Sequence, residues 1–547
     1  MTAAGSKVRS VSASGRRRIP FRPWLAAGVI LVLGGAGWAA GGDQLVRKTV
    51  GAVTSAGADA PKAAQIEAVV PKAAAVAGCT AGADSDFNGD GVSDTVVGDP
   101  DATVGAQVKA GTVTVVYGGS GTVQVLAQGA SGLPGGPETE DQFGFSLAAY
   151  DANRDGCADL AVSAPFESVG DKGGAGGVTV VYGSPAGLAK GPAALWIDQN
   201  SAGWGNSAGS HDWFGYALAA GNTGSGEAYL AVGAPGEDID GAFNAGWVHY
   251  QRGSTVVAIY AGHGVNGVPE TDDRVGTSLA GSPYHLAVGA PGEALGEVTW
   301  AGVASVYTHD IVNGQLKMVG AVGENAGQIG SAPRISDNLG KSLALAPYRA
   351  SGAAAGTVTS ILAVGAPGTD VNGQQDAGTV HRFLVTATGY TRIDSLTQAS
   401  SGIADEPEDG DYFGDVVRLV NTRPGDVSTA QTVQLAVGSP GEDIDGVADA
   451  GTVSVLGGAV TPVVPSNLTV ARREGSLPKG PGTQELLGAY LGVSRTNLYV
   501  ASPYRDGGSV FVIPSASLAQ QQAAPARTLT AGAAGIPTGV SFGAAVG

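Results

Sequence analysis

Two nine-residue stretches carry the side chains best suited to chemistry: DFNGDGVSD from Asp86 to Asp94 and DANRDGCAD from Asp151 to Asp159. Oxygen-bearing residues stand at the first, third and fifth positions, Asp86, Asn88 and Asp90 in one and Asp151, Asn153 and Asp155 in the other. A glycine follows at the sixth position and an aspartate, Asp94 or Asp159, at the ninth. Calcium takes about six to eight oxygen ligands, and this spacing wraps oxygens around one point while the glycine makes the sharp turn. The backbone carbonyl at the seventh position, Val92 or Cys157, adds a further ligand. The expected cofactor is therefore calcium in a structural role, because no acid, base or nucleophile stands nearby. Plain Asx turns between two strands are the competing reading.

The elements that must hold these loops show themselves as a repeat. An apolar pair running into a small-residue turn closed by proline occurs seven times. The copies are Val96 to Pro100, Ala161 to Pro165, Ala231 to Pro235, Ala287 to Pro291, Ala363 to Pro367, Ala436 to Pro440 and Tyr499 to Pro503. An apolar residue followed by glycine precedes every copy but the first: Phe143-Gly144, Phe214-Gly215, Val275-Gly276, Leu339-Gly340, Phe413-Gly414 and Leu487-Gly488. A further instance, Phe542-Gly543, stands near the end of the sequence with no proline phrase after it. The orphan first repeat and the orphan last phrase complete each other if the chain closes into a ring, which leaves no exposed sheet edge.

These paired phrases resemble the FG-GAP repeats of integrin α-subunit propellers and of secreted bacterial proteins, over roughly residues 79–547. The resemblance implies that the two acidic loops are calcium hairpins joining the first and second strands of a blade, and that the opposite face binds ligands. The residues agree with a blade. Runs such as Gly111 to Gly118, Gly176 to Gly183 and Gly451 to Gly458 alternate β-branched residues as half-buried third strands do, and Thr122 to Gln128 reads as a fourth strand. The expected fold is all-β, a seven-bladed β-propeller of four-stranded blades, its ring closed by the C-terminal strand. An α/β fold would need crossover helices, and no helical periodicity is evident past the N-terminus.

Charge narrows the partners. With 48 acidic against 30 basic residues the net charge is −18, which excludes nucleic acid, since phosphate recognition relies on cationic patches. The first 42 residues invert that balance, with Lys7, Arg9, Arg16, Arg17, Arg18 and Arg22 ahead of the apolar run Leu25 to Ala40. They read as a signal peptide or an N-terminal membrane anchor, the apolar run being shorter than the roughly 20 residues a spanning helix prefers. Residues 43–78 read as a flexible linker. The two cysteines, Cys79 and Cys157, suit a disulfide in an exported protein, with two free thiols as the alternative.

A second acidic series, Gly236 to Gly241, Gly368 to Gly373 and Gly441 to Gly446, follows the proline phrase. With the loops Glu138 to Gln142, Glu270 to Arg274 and Asp405 to Tyr412, it is expected on the face opposite the hairpins, either as ligand contacts or as ordinary hairpin turns. The loop bearing Trp196, Trp204, His211 and Trp213 is the expected organic-ligand contact, with packing between blades as the competing role. GNSAG at Gly205 to Gly209 copies a nucleophile motif but lacks its strand-to-helix elbow. No catalytic residue is assigned. The function expected is a monomeric, non-catalytic, secreted or cell-surface module for an extracellular protein or glycan, with a possible N-terminal membrane tether. A hydrolase or lyase acting on extracellular polysaccharide is the alternative.

Overall fold

Every proline phrase forms the second strand of a blade: Thr95–Asp99, Asp159–Ala164, Ala228–Ala234, His285–Ala290, Thr359–Ala366, Val433–Ser439 and Asn497–Ser502. Nearly all of their residues are buried, as a short apolar run bounded by turn residues requires when both sheet faces are covered. The computed structural model describes Cys79 and residues 85–324, 329–354, 356–460 and 466–547. The expected leader or anchor at 1–42 and the linker at 43–78 lie outside the described residues.

Seven antiparallel sheets follow one another in chain order. The second blade, Leu147–Tyr150, Asp159–Ala164, Gly177–Val181 and Leu195–Ile197, is typical, with Leu147 opposite Val162 and Leu160 opposite Val181. The third blade adds a two-residue parallel strand, Gly264–Val265, to its outer edge. Among the described residues the single helix is Ser515–Leu518, and none is long and apolar enough to cross a membrane.

The core lies between blades. Val113, Val115 and Leu126 of the first pack with Phe143 and with Leu160 and Val162 of the second, and the equivalent phenylalanines Phe214, Phe413 and Phe542 are equally buried. The two recurring phrases meet at these junctions. A Cβ on Gly98 would lie 2.2 Å from the Gly144 carbonyl oxygen, so only glycine permits the approach. Gly144, at φ +92°, donates its N–H to the Ser163 carbonyl of its own blade at 2.8 Å. The same near-contact recurs from Gly233 to Gly276, Gly289 to Gly340, Gly365 to Gly414 and Gly438 to Gly488.

The ring closes as expected. The strand Ala545–Val546 pairs with Thr95–Asp99, Gly98 opposite Ala545 and Val97 opposite Val546. Val96 N–H donates to the Gly547 carbonyl at 2.9 Å, and Gly543 N–H to that of Gly98 at 3.0 Å.

Candidate metal centres and the acids between the blades

The second hairpin joins the first and second strands of its blade, the first leads into the second strand of blade one, whose innermost strand comes from the C-terminus, and both are built by the same hydrogen bonds. In the first, Asp86 accepts from Asp90 N–H at 3.1 Å and Gly91 N–H at 2.8 Å, and Asp90 accepts from Val92 N–H at 2.9 Å. In the second, Asp151 accepts from Asp155 N–H and Gly156 N–H, each at 3.1 Å, and Asp155 accepts from Cys157 N–H at 2.9 Å. Asn88 and Asn153 each donate to the aspartate two positions on. Gly91 and Gly156, at φ +85° and +99°, make the left-handed turn. The ninth-position aspartates are buried and anchored, Asp94 by Phe87 and Gly118 N–H and Asp159 by Ala152 and Gly183 N–H.

Each hairpin thus carries three carboxylates on one short loop. Burial, reinforced by the charges of Asp86 and Asp90, raises Asp94 to about 6. Burial together with Asp155 and Asp151 raises Asp159 to about 8, and burial also raises Asp151. A loop of aspartate and asparagine oxygens, two of its carboxyls held up mainly by burial, is a donor set suited to a hard cation, so the residues present fit calcium. The hairpins differ in cover: Asp90 is exposed, whereas Asn153 and Asp155 are buried.

The cysteine pair is a disulfide, Cys79–Cys157, its two sulfurs within 4.8 Å of an Asp155 oxygen. It links the segment ahead of blade one to the second hairpin. The Asp86 and Phe87 carbonyls reinforce the tie by accepting from Ala158 and Ser184 N–H. In the third blade the equivalent loop is a turn closed by Thr223 and Ser225 hydroxyls 2.9 Å apart, with no carboxylates at the ligand positions.

On the opposite face the acidic loops are not uniformly solvated, and some of their carboxylates serve their own turns. Asp238 and Asp443 accept the N–H groups of Asn244 and Asp449, so each closes its own turn. Each long loop between blades turns one acid inward: Asp141, Asp273 and Asp411 are 2 %, 1 % and 1 % exposed. Each stands two residues before the apolar-glycine phrase and meets a glutamate two residues beyond the proline phrase of the same repeat.

The resulting pairs are Asp141 with Glu167, Asp212 with Glu237, Asp273 with Glu293 and Asp411 with Glu442. In the fifth repeat Asp337 meets Glu324 instead, because Thr369 replaces the post-proline glutamate. A glutamine from the preceding blade completes three of them, Gln128, Gln199 and Gln398 each donating Nε2 at 2.5 Å to Glu167, Glu237 and Glu442. Each aspartate also accepts the N–H three residues upstream, as Asp411 does from Glu408 at 2.5 Å. Burial, then the facing acid, raises Glu167 to about 7, Glu237 and Glu293 to about 8 and Glu442 to about 9. Each glutamate is thereby held above the ordinary carboxyl range. Sequence reasoning missed them, although the recurring aspartate before the phrase was a visible signal.

The tryptophans take the packing role. Trp204 is buried edge-on against Phe214 and beside His249, and Trp196 lies on a blade strand with Nε1 on Asp198. Trp213 packs against Phe166 and Tyr216, with the Arg274 guanidinium over its ring.

The FG-GAP repeat family matches residues 143–181, from the Phe143-Gly144 phrase through the second hairpin to the third strand of that blade. Phosphatidylinositol-glycan-specific phospholipase D of Rattus norvegicus is 38% identical over 109 residues, which is 19% of this chain and 13% of that protein. The Mus musculus protein is 37% identical over 105 residues, 19% of this chain and 12% of its own. The similarity thus spans about an eighth of those relatives. Among solved structures, the Dos1 propeller has a TM-score of 0.37 at 12% identity, covering 74% of this chain and 75% of that one. Saccharomyces cerevisiae Sqt1 has a TM-score of 0.36 at 11% identity, covering 71% and 76%. The chain is thus a seven-bladed β-propeller whose second blade matches the FG-GAP repeat family.

Proposed function

We propose that the chain is a non-catalytic, calcium-binding propeller that acts outside the cell as a ligand-binding or adhesion module. The observation that carries the calcium reading is the duplicated hairpin, with three carboxylates and the same hydrogen-bond scaffold at two places in the ring. Asp86, Asn88, Asp90, Asp94 and the Val92 carbonyl would hold one ion, and Asp151, Asn153, Asp155, Asp159 and the Cys157 carbonyl the other. The ion would supply positive charge that offsets carboxylate repulsion and rigidifies the first two blades.

The disulfide and the repeats support an extracellular setting, and the basic, apolar N-terminus supports export or tethering. Exposed acids on the loop face, such as Asp240 and Asp445, would meet a protein or glycan partner. The fold is typically one that binds rather than catalyses. A polysaccharide hydrolase or lyase would need a carboxyl pair open to substrate.

A thermal melt tests the calcium reading. Extracellular sites bind calcium at about 10⁻⁴ to 10⁻³ M, so saturating ion at roughly a hundredfold over that constant stabilises by about 2.7 kcal/mol per site. The parent is expected to melt several degrees higher in calcium than in chelator, and Asp90→Ala or Asp155→Ala to lose part of that gain. A melt indifferent to chelator removes calcium from the hairpins.

A further inference from the structure

The innermost strands enclose a cavity of about 830 Å³ on the ring axis, open toward the hairpin face. One register position of these strands, opposite the first residue of the proline phrase, lines it in every blade. Ala148, Ala219, Ala280, Ala344 and Gly492 face Ala161, Ala231, Ala287, Ala363 and Tyr499 across the sheet, and Gly547 pairs with Val96. In the sixth blade that position, opposite Ala436, is Arg418. Six small residues therefore open the axis, and at this register position the Arg418 side chain alone lines the space they leave.

Arg418 carries a full charge with almost nothing to balance it. Among the described residues its side chain makes one hydrogen bond, from a terminal nitrogen to the neighbouring Val417 carbonyl at 2.9 Å, and meets no carboxylate within ion-pair distance. Burial alone lowers it to about 10, with no neighbouring charge contributing. The side chain is half-buried and its remaining donors are not shut off from the cavity. Keeping an unbalanced cation in a partly dry channel costs stability, and alanine serves the fold at the same position in four other blades. Guanidinium donors match the paired oxygens of carboxylate and phosphate, and the volume falls in the range of small-ligand sites. Leu147, Leu218, Leu279 and Leu343 supply apolar wall, and Asn222 and Asn421 a polar mouth.

We infer that the axial cavity binds a small oxyanion-bearing ligand, its carboxylate or phosphate group held by Arg418. The site lies apart from the loop face invoked above and does not rest on calcium. Asp151 and Asp426 line the mouth and Arg495 stands with them, so the opening is of mixed charge and selectivity falls to the guanidinium inside.

The test is calorimetric titration of the full chain with inorganic phosphate, sulfate and butanoate at constant ionic strength, run in calcium and again in chelator. The parent is expected to bind at least one of them, and Arg418→Ala to bind at least tenfold more weakly in both conditions. Preference for butanoate identifies a carboxylate ligand, and preference for phosphate or sulfate a tetrahedral one. A second reading guards against a purely structural arginine: without added oxyanion, Arg418→Ala should melt no lower than the parent. Equal binding by parent and variant, no binding of any of the three anions by the parent, or a lower melt for the variant overturns the site.

Discussion

The junction before the sixth blade and the junction before the seventh place a buried acid at the same point of the ring and neutralise it in opposite ways. Before the sixth, Asp411 faces Glu442, Gln398 caps the glutamate, and burial with mutual repulsion raises the pair to about 7 and about 9. Before the seventh, Glu485 replaces the aspartate, Arg472 the glutamine and Arg505 the post-proline glutamate. Arg472 Nε and Arg505 reach Glu485 at 2.6 and 2.8 Å, and the Ser502 hydroxyl donates at 2.6 Å. One junction holds a proton, and the other holds two guanidinium groups. A propeller needs something polar and compact at this seam to join loop to blade, and either solution serves provided the charge is cancelled locally.

The closing junction uses neither device. Val540 and Ala102 stand where the acids would be, and Asp99 accepts the N–H groups of Val540 and Ser541, each at 3.0 Å, together with the Ser541 hydroxyl. The largest effect therefore belongs to deletion of 540–547. That removes the innermost strand of blade one, leaves Asp99 buried without its donors and bares two sheet edges. Loss of a monomeric fold is expected by size-exclusion chromatography and circular dichroism. A monomeric truncation with the parent's melting temperature would mean the ring does not depend on that strand.

How much of this could be read from the sequence follows from how far each signal travels along the chain. Blade number, strand order, closure and both hairpins were legible because each rests on residues within about ten positions, where period-two alternation, glycine and proline act directly. The disulfide was legible because only one pairing exists. The seam acids were not. Gln128, Asp141 and Glu167 are 13 and 26 residues apart, and their loops looked like solvated acidic turns until the blades brought them together. Arg418 was hidden more completely, since its oddity shows only when seven innermost strands are set in register.

The next effect in size falls on the guanidinium junction. Glu485→Gln leaves Arg472, with a side chain only 5% exposed, without its carboxylate. Breaking a buried ion pair from one side costs about 3–5 kcal/mol, read as a lower urea midpoint with unchanged slope. A loss below about 1 kcal/mol, the range of surface pairs, would show that the pair carries no more than an exposed one.

The same substitution before the sixth blade should act in the other direction and only at high pH. Both members of the Asp411–Glu442 pair have folded pKa values above the ordinary carboxyl range, so the native state binds more protons than the unfolded chain. Their contribution is fully present below about pH 4 and is lost as pH rises through about 7 and then about 9; the parent should accordingly melt lower at pH 9 than at pH 5. Glu442→Gln keeps the shape, still accepts from Gln398 and offers an amide N–H to Asp411, so the aspartate ionises against a neutral partner. Each pKa unit corresponds to about 1.4 kcal/mol, and the variant is expected to match the parent at pH 5 and to gain on the order of 1 kcal/mol at pH 9. The other four acid pairs remain, so the slope should flatten without vanishing. A variant that loses stability equally at both pH values would show that Glu442 is ionised in the native ring, and the contrast with the arginine-bearing junction would then be one of partner alone.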